Sequence, residues 1–277
     1  MSSSIHIARR GWWGAVAIGL AGISGVARAD DATDEPQPPS SVSRSADDGA
    51  PPAASARSAE IGAFLASVLP ATSEGRSGLA SVMTGWDQAR RGRIYDTSAE
   101  AQLDGPVSLS AGASYDGPGT VASPHVELRL AALRQAAHGL DLAVAAGYVE
   151  AGFNTVPAAV LKVAAGRRIG DSYLLGNAAY GQGAGGEAYG ELRLAALHPI
   201  TRAAQVGIDT RFQIDLERDA REPAGETDWE SRTGLVASYA WDRFVVTGGT
   251  GISALRLRAG GSTAVGPVIT AGFGTVF

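Results

Sequence analysis

From Gly78 to Phe277 the chain alternates between apolar and polar side chains, one residue at a time. In 106–115, Val107, Leu109, Ala111, Ala113 and Tyr115 interleave with Ser108, Ser110, Gly112 and Ser114. In 203–216, Val206, Ile208, Phe212, Ile214 and Leu216 interleave with Gln205, Asp209, Arg211, Gln213 and Asp215. In 126–133, Val126, Leu128, Leu130 and Ala132 alternate with Glu127, Arg129 and Ala131. Successive side chains of a strand point to opposite faces, so each segment has one apolar and one polar side. Composition alone points elsewhere: glycine, at 37 residues, and the abundant alanine are poor strand formers. The period carries the β assignment.

The pattern predicts strands near 78–87, 93–103, 106–115, 124–133, 139–150 and 156–167, then 171–181, 186–197, 202–216, 229–241, 243–256 and 264–277. The first is the weakest. In 243–256 the alternation blurs, because Val245 and Val246 are both apolar and Leu255 and Leu257 share the odd face. Asp104-Gly105 is a two-residue hairpin signal, and Trp241-Asp242-Arg243 and Arg168-Ile169-Gly170 are also tight. Longer connections lie between them: DGPGTVAS, GQGAGGE, LERDAREPAGETD and RAGGST. Short and long connections in alternation predict an all-β, closed, antiparallel up-and-down transmembrane barrel of about twelve strands, with ten as the alternative count. Its short turns lie on the periplasmic side, with the 217–228 loop outside.

The aromatics sort into two belts on this topology. Trp86, Tyr95, Tyr115, Tyr148, Tyr180, Phe212 and Trp229 fall near external strand ends; Tyr239, Trp241, Phe244 and Phe277 fall near periplasmic ends. All but Phe244, in the strand of unclear parity, lie on the apolar face, as a bilayer interface favours. Tyr189 is the exception and falls on the polar face.

The N-terminus has a different composition. Residues 1–29 read as a signal peptide: Arg9 and Arg10, an uncharged apolar core from Gly11 to Val26, then Ala27-Arg28-Ala29 before Asp30, with cleavage between Ala29 and Asp30. A single membrane anchor is the alternative. Residues 30–76 read as a disordered spacer rich in Asp, Pro, Ser and Ala. Within it Ile61, Phe64, Leu65, Val68 and Leu69 recur at helical spacing over 58–69, ahead of Pro70. That segment reads as a short periplasmic helix, a plug, or a transient helix in a tail. Residues 77–277 form the barrel.

The last strand, AVGPVITAGFGTVF, places Val265, Ile269, Ala271, Phe273 and Phe277 on one face and ends in the aromatic. It resembles the C-terminal β-signal of bacterial outer-membrane barrels, although Thr275 stands where a bulkier apolar residue is usual. The resemblance implies an outer-membrane location in a Gram-negative bacterium, and the signal peptide points to the general secretory route. It also implies outer-membrane lipid and the barrel-assembly machinery as partners, with Phe273 and Phe277 in the assembly signal. A repeat, ELRLAAL at 127–133 and 191–197, points to duplicated strand units, or to convergence on Leu- and Ala-rich strands.

Parity assigns to the lumen Asp96, Glu100, Glu127, Arg129, Asp141, Lys162, Glu187, Glu191, Arg193, Asp209, Arg211, Asp215, Glu230 and Arg232. Acids exceed bases, with the signs interleaved. Twelve strands fall between the side-chain-filled eight and the open sixteen. Two readings follow: a narrow small-solute channel with weak cation preference, or a non-conducting structural or surface-interaction barrel. A soluble exported β-sandwich is a third, but it leaves the belts unexplained.

Other classes find little support. The net charge of −5 offers no basic field for nucleic acid. With no cysteine and four scattered histidines (His6, His125, His138, His198), neither a cofactor nor a metal site is expected, and no nucleophile set is evident. Asp219, Glu222, Glu226 and Asp228 cluster in the longest loop, read as a solvated charged segment rather than an acidic site, so no enzyme is expected. Phe277→Asp puts a charge in place of the terminal aromatic and should sharply reduce the protein recovered in outer-membrane fractions. Thr270→Ser, an inward change nearby, should leave that recovery unchanged.

Overall fold

The computed structural model describes residues 78–103, 105–116, 122–151, 153, 156–216, 227–258 and 261–276. The signal peptide and its Ala29–Asp30 site, the spacer, the 58–69 segment, Asp219, Glu222, Glu226 and the terminal Phe277 lie outside them.

Among the described residues the chain forms twelve strands. The first six are β1 (Gly78–Asp87), β2 (Gly92–Gln102), β3 (Val107–Asp116), β4 (Ser123–Leu133), β5 (Asp141–Val149) and β6 (Ala158–Ile169). The rest are β7 (Ser172–Gly183), β8 (Ala188–Pro199), β9 (Ala204–Asp215), β10 (Thr227–Trp241), β11 (Phe244–Leu257) and β12 (Thr263–Val276). Each pairs antiparallel with its sequence neighbours, and β1 pairs with β12 from Leu79↔Val276 to Asp87↔Val268, which closes the barrel. Closure removes the sandwich alternative and leaves no unpaired sheet edge. The expected strands match the observed ones to within two residues at nearly every end.

The start of β1 and the end of β12 share one end of the barrel, here termed periplasmic. The tight turns are there too. Gly170 (φ 59) turns β6 into β7, and Asp242 (φ 50) turns β10 into β11, both in the left-handed region that hairpin turns require. The β4–β5 connection departs from the sequence expectation by forming one helical turn, α1 (Gln135–His138), closed by Gly139 at φ 71. Asp141 accepts a hydrogen bond from the Gln135 amide at 2.6 Å, and the Gln135 side chain bridges to the backbone of Arg168. Expected among the lumen charges, Asp141 is engaged in capping the periplasmic rim.

The exterior is apolar. Leu161 is 64% exposed and Leu235 65%, and Leu128, Leu130, Leu192, Leu194, Ile208, Ile252 and Ile269 are exposed with them. A water-soluble surface rarely gathers so much apolar area in one band, whereas hydrocarbon solvates it. The girdles pair across strands: Tyr95 with Tyr115 (ring centroids 6.1 Å) and Phe212 stacked on Trp229 (6.3 Å) externally. At the periplasmic end Tyr239, Trp241, Phe244 and Phe273 form a continuous chain of ring contacts. Phe244, whose face the sequence left open, stacks on outward-facing Phe273 at 5.7 Å and so belongs to the lipid side. The blurred parity of β11 has a cause: Val245 and Leu255 point inward and are buried, Val245 against Leu79.

In both ELRLAAL copies the first two leucines (Leu128, Leu130; Leu192, Leu194) face out while Glu127, Arg129, Glu191 and Arg193 face in. Leu128→Arg and Leu192→Arg should each cost about 2–4 kcal/mol near the bilayer midplane. Urea unfolding in micelles should show this loss for both, and little change for the inward Ser110→Ala.

The charged lumen as candidate functional site

The inward faces of β2, β4, β6, β8, β9 and β10 bring their charged residues together within the barrel. Two groups form. In the first, Glu100 of β2 accepts from Ser108 of β3 (2.8 Å) and from Arg129 of β4 (3.1 and 3.2 Å). Arg129 also meets Glu127 at 3.4 Å, and Lys162 of β6 closes on Glu127 from the other side. The second group is centred on Glu191 of β8. Its carboxylate accepts from Arg193 (2.5 Å), from Arg211 of β9 (3.0 Å) and from Gln213 (2.5 Å). Arg211 lies 3.9 Å from Glu230 of β10, which also binds Arg90 from the β1–β2 turn. Arg232 reaches Asp87 of β1 at 3.1 Å, and Ser253 of β11 donates to the same carboxylate at 2.5 Å.

Register explains the spacing. Arg193, Arg211 and Arg232 are direct partners on three consecutive strands, a row of like charges. The adjacent row is Glu191, Gln213 and Glu230, so Arg211 has a carboxylate on each diagonal, while Arg193 meets Glu191 along its own strand and Arg232 turns to Asp87. Burial makes the pairing obligatory. Glu230 is 2% exposed and Asp87 1%, and an unpaired charge at that depth is severely unfavourable.

The remaining expected lumen residues are placed as follows. Asp215 pairs with Arg258 at 2.7 Å near the external end. Asp96 and Asp209 face inward outside the two groups, Asp96 opposite Ser114 and Asp209 opposite Ala195 and Gly234. Glu187 sits just before β8, with its carboxylate beside Gly183 and Gly185. From the acidic loop, Asp228 is described and lies half-exposed, 3.8 Å from Arg256.

Several functional groups escaped the sequence reading. Asp87 ends the weakest predicted strand, and Arg90 lies in a turn, where period-two parity gives no direction. His125 shares the parity of Glu127, and its ring lies over Gly112 inside the barrel. Tyr189, the aromatic on the polar face, covers Gly181, where a Cβ would meet its ring at 2.1 Å. Phe153, buried in the β5–β6 connection, packs against it at 6.1 Å.

The periplasmic half of the lumen is lined differently. Leu175, Ala195 and Leu197 form one buried cluster, and Ala143 and Ala164 another. The buried Glu100–Arg129 pair lies toward this end too, opposite Leu79 and Ser108, so small and apolar residues share it with charge.

Among the described residues no constellation for bond chemistry is assembled around these groups. His198 shares a hydrogen bond with Ser172 at 3.0 Å on an exposed face, while neighbouring Asp171 is engaged by Arg168 at 3.8 Å. A serine–histidine pair needs an orienting group and an oxyanion site to act as a nucleophile. Among the described residues no group of three or more potential ligands could hold a metal ion.

No protein-family model and no curated protein matches the sequence. Solved structures do match in fold. The NanC porin aligns over 71% of this chain and 98% of its own, with 12% identity and a TM-score of 0.51. The KdgM porin (8% identity, 72% and 99% covered, TM-score 0.45) and Omp33 of Acinetobacter baumannii (12%, 73% and 98%, 0.43) align more loosely. The chain thus has the fold of the bacterial outer-membrane β-barrel class.

Glu191→Gln leaves Arg193 and Arg211 side by side with no carboxylate between them. Breaking a buried pair costs about 3–5 kcal/mol, so urea unfolding in micelles should show a loss approaching that range. Arg211→Met in the same background should recover part of it.

Proposed function

We propose that this protein is an integral outer-membrane barrel whose lumen is a narrow path for small hydrophilic solutes, with a weak preference for cations. The observation that carries the reading is the inward concentration of charge. Both signs line the lumen in two groups, one toward each end, although apolar packing there would spare the desolvation cost. A polar interior enclosed by an apolar exterior is the arrangement of a barrel that admits water. The cation preference rests on Asp96 and Asp209, inward carboxylates outside the ion-pair groups.

Export by the general secretory route and insertion by the barrel-assembly machinery, through the strand bearing Phe273 and Phe277, belong to the same proposal. Outer-membrane lipid is then the partner of the apolar belt.

One set of observations favours a second reading, a non-conducting structural or surface-interaction barrel. The lumen charges are deeply buried, and apolar clusters pack beside them toward the periplasmic end. Conductance separates the two. The refolded protein in a planar bilayer should give small, discrete single-channel steps and a zero-current potential of cation-selective sign in a KCl gradient. Asp96→Asn with Asp209→Asn should move that potential toward zero without lowering thermal stability. Folded protein that gives no steps would establish the non-conducting barrel instead.

A further inference from the structure

The turn at 88–91, between β1 and β2, is packed inward rather than standing up from the external mouth. Its path crosses the lumen face of β12 at Gly266. A Cβ there would meet Gln88 at 2.7 Å and the Ala89 amide at 3.0 Å, so only glycine seats the turn this low. The Gln88 amide also donates to the Pro267 carbonyl at 3.0 Å. Asp87 fixes the turn from within: its carboxylate accepts the amides of Ala89 (2.9 Å) and Arg90 (3.2 Å), and Arg91 at φ 55 returns the chain to β2.

From this seat the turn is tied across the barrel. Arg90 binds Glu230 and Asp87 binds Arg232, both partners on β10, which the order β1-β12-β11-β10 places on the far side of two strands. These links run inside the curve of β11 and β12, where Ser253, Leu255 and Val268 face inward and lie buried, while Gly251 and Gly266 carry no side chain. The two glycines leave room for a chord of charges to pass in front of the wall.

We propose that the 88–91 turn is a strap across the external entrance of the lumen, and that Arg90 and Glu230 set the width and charge of its narrowest passage. The proposal rests on the channel reading. Its ligands are small ions and neutral polar solutes that must pass a paired guanidinium and carboxylate. Releasing Arg90 withdraws one cationic wall of the passage and leaves the Glu230 carboxylate facing it.

The chain has no cysteine, so Thr270→Cys introduces a single thiol on the inward face of β12, on the periplasmic side of Gly266. A cationic, membrane-impermeant thiol reagent added outside intact cells should label it slowly. With Arg90→Ala added, labelling should accelerate several-fold and the single-channel conductance should rise. Arg90→Lys should fall between, and Arg256→Ala, outside the lumen, should change neither reading. If Arg90→Ala fails to assemble, Glu230→Gln breaks the same contact and should give the same acceleration. Unchanged labelling in both variants would overturn the strap, whatever the conductance. Faster labelling with no conductance in any variant would uphold the strap and reject the channel.

Discussion

A chain that crosses hydrocarbon must satisfy every backbone amide and carbonyl within itself, because no water is available there to do so. In a sheet this demand is met only when the first strand pairs with the last, as β1 does with β12 along its length. Closure then dictates the side-chain environments: alternate residues of each strand point to lipid or to a confined interior. Leu128 and Glu127 are neighbours in sequence and inhabit different solvents, as do Leu192 and Glu191.

Confinement governs the interior. With twelve strands the inward charges are near enough to reach one another and deep enough that they must. The solution sets an arginine row beside a glutamate–glutamine–glutamate row, held in step by the register of β8, β9 and β10, with Asp87 of β1 taking up Arg232. Glycine and alanine, which looked unfavourable for a β protein, are what allow large side chains to fit. Gly181 lies under Tyr189, Gly112 under His125 and Gly266 under the β1–β2 turn. Their weak strand propensity is offset by packing, since propensity in a sheet measures the fit of neighbours.

The strand ends, the two faces, the aromatic girdles and the inward set from Glu100 to Arg232 were legible in the sequence, because a period of two survives any change of neighbour. Failures occurred where that period stops carrying information. Val245 and Leu255 are apolar yet inward, since the interior is not uniformly wet and packs Leu79 and Glu230 near them. Phe244 needed Phe273 to fix its side. The helical turn at 135–138 and the cap made by Asp141 arise from contacts at the rim, beyond the reach of alternation.

The sequence by itself determined a barrel, its topology and which residues face lipid, because these follow from local periodicity and turn chemistry. Tertiary structure alone decided which inward charges meet. Arg90 and Glu230 are 140 residues apart and adjoin only because closure returns β1 to the vicinity of β10. Neither the inward fold of the turn nor its seat on Gly266 has a local signal, since both depend on what a distant strand leaves empty. Parity gives the direction of a side chain; the curvature and register of the closed sheet give its partner.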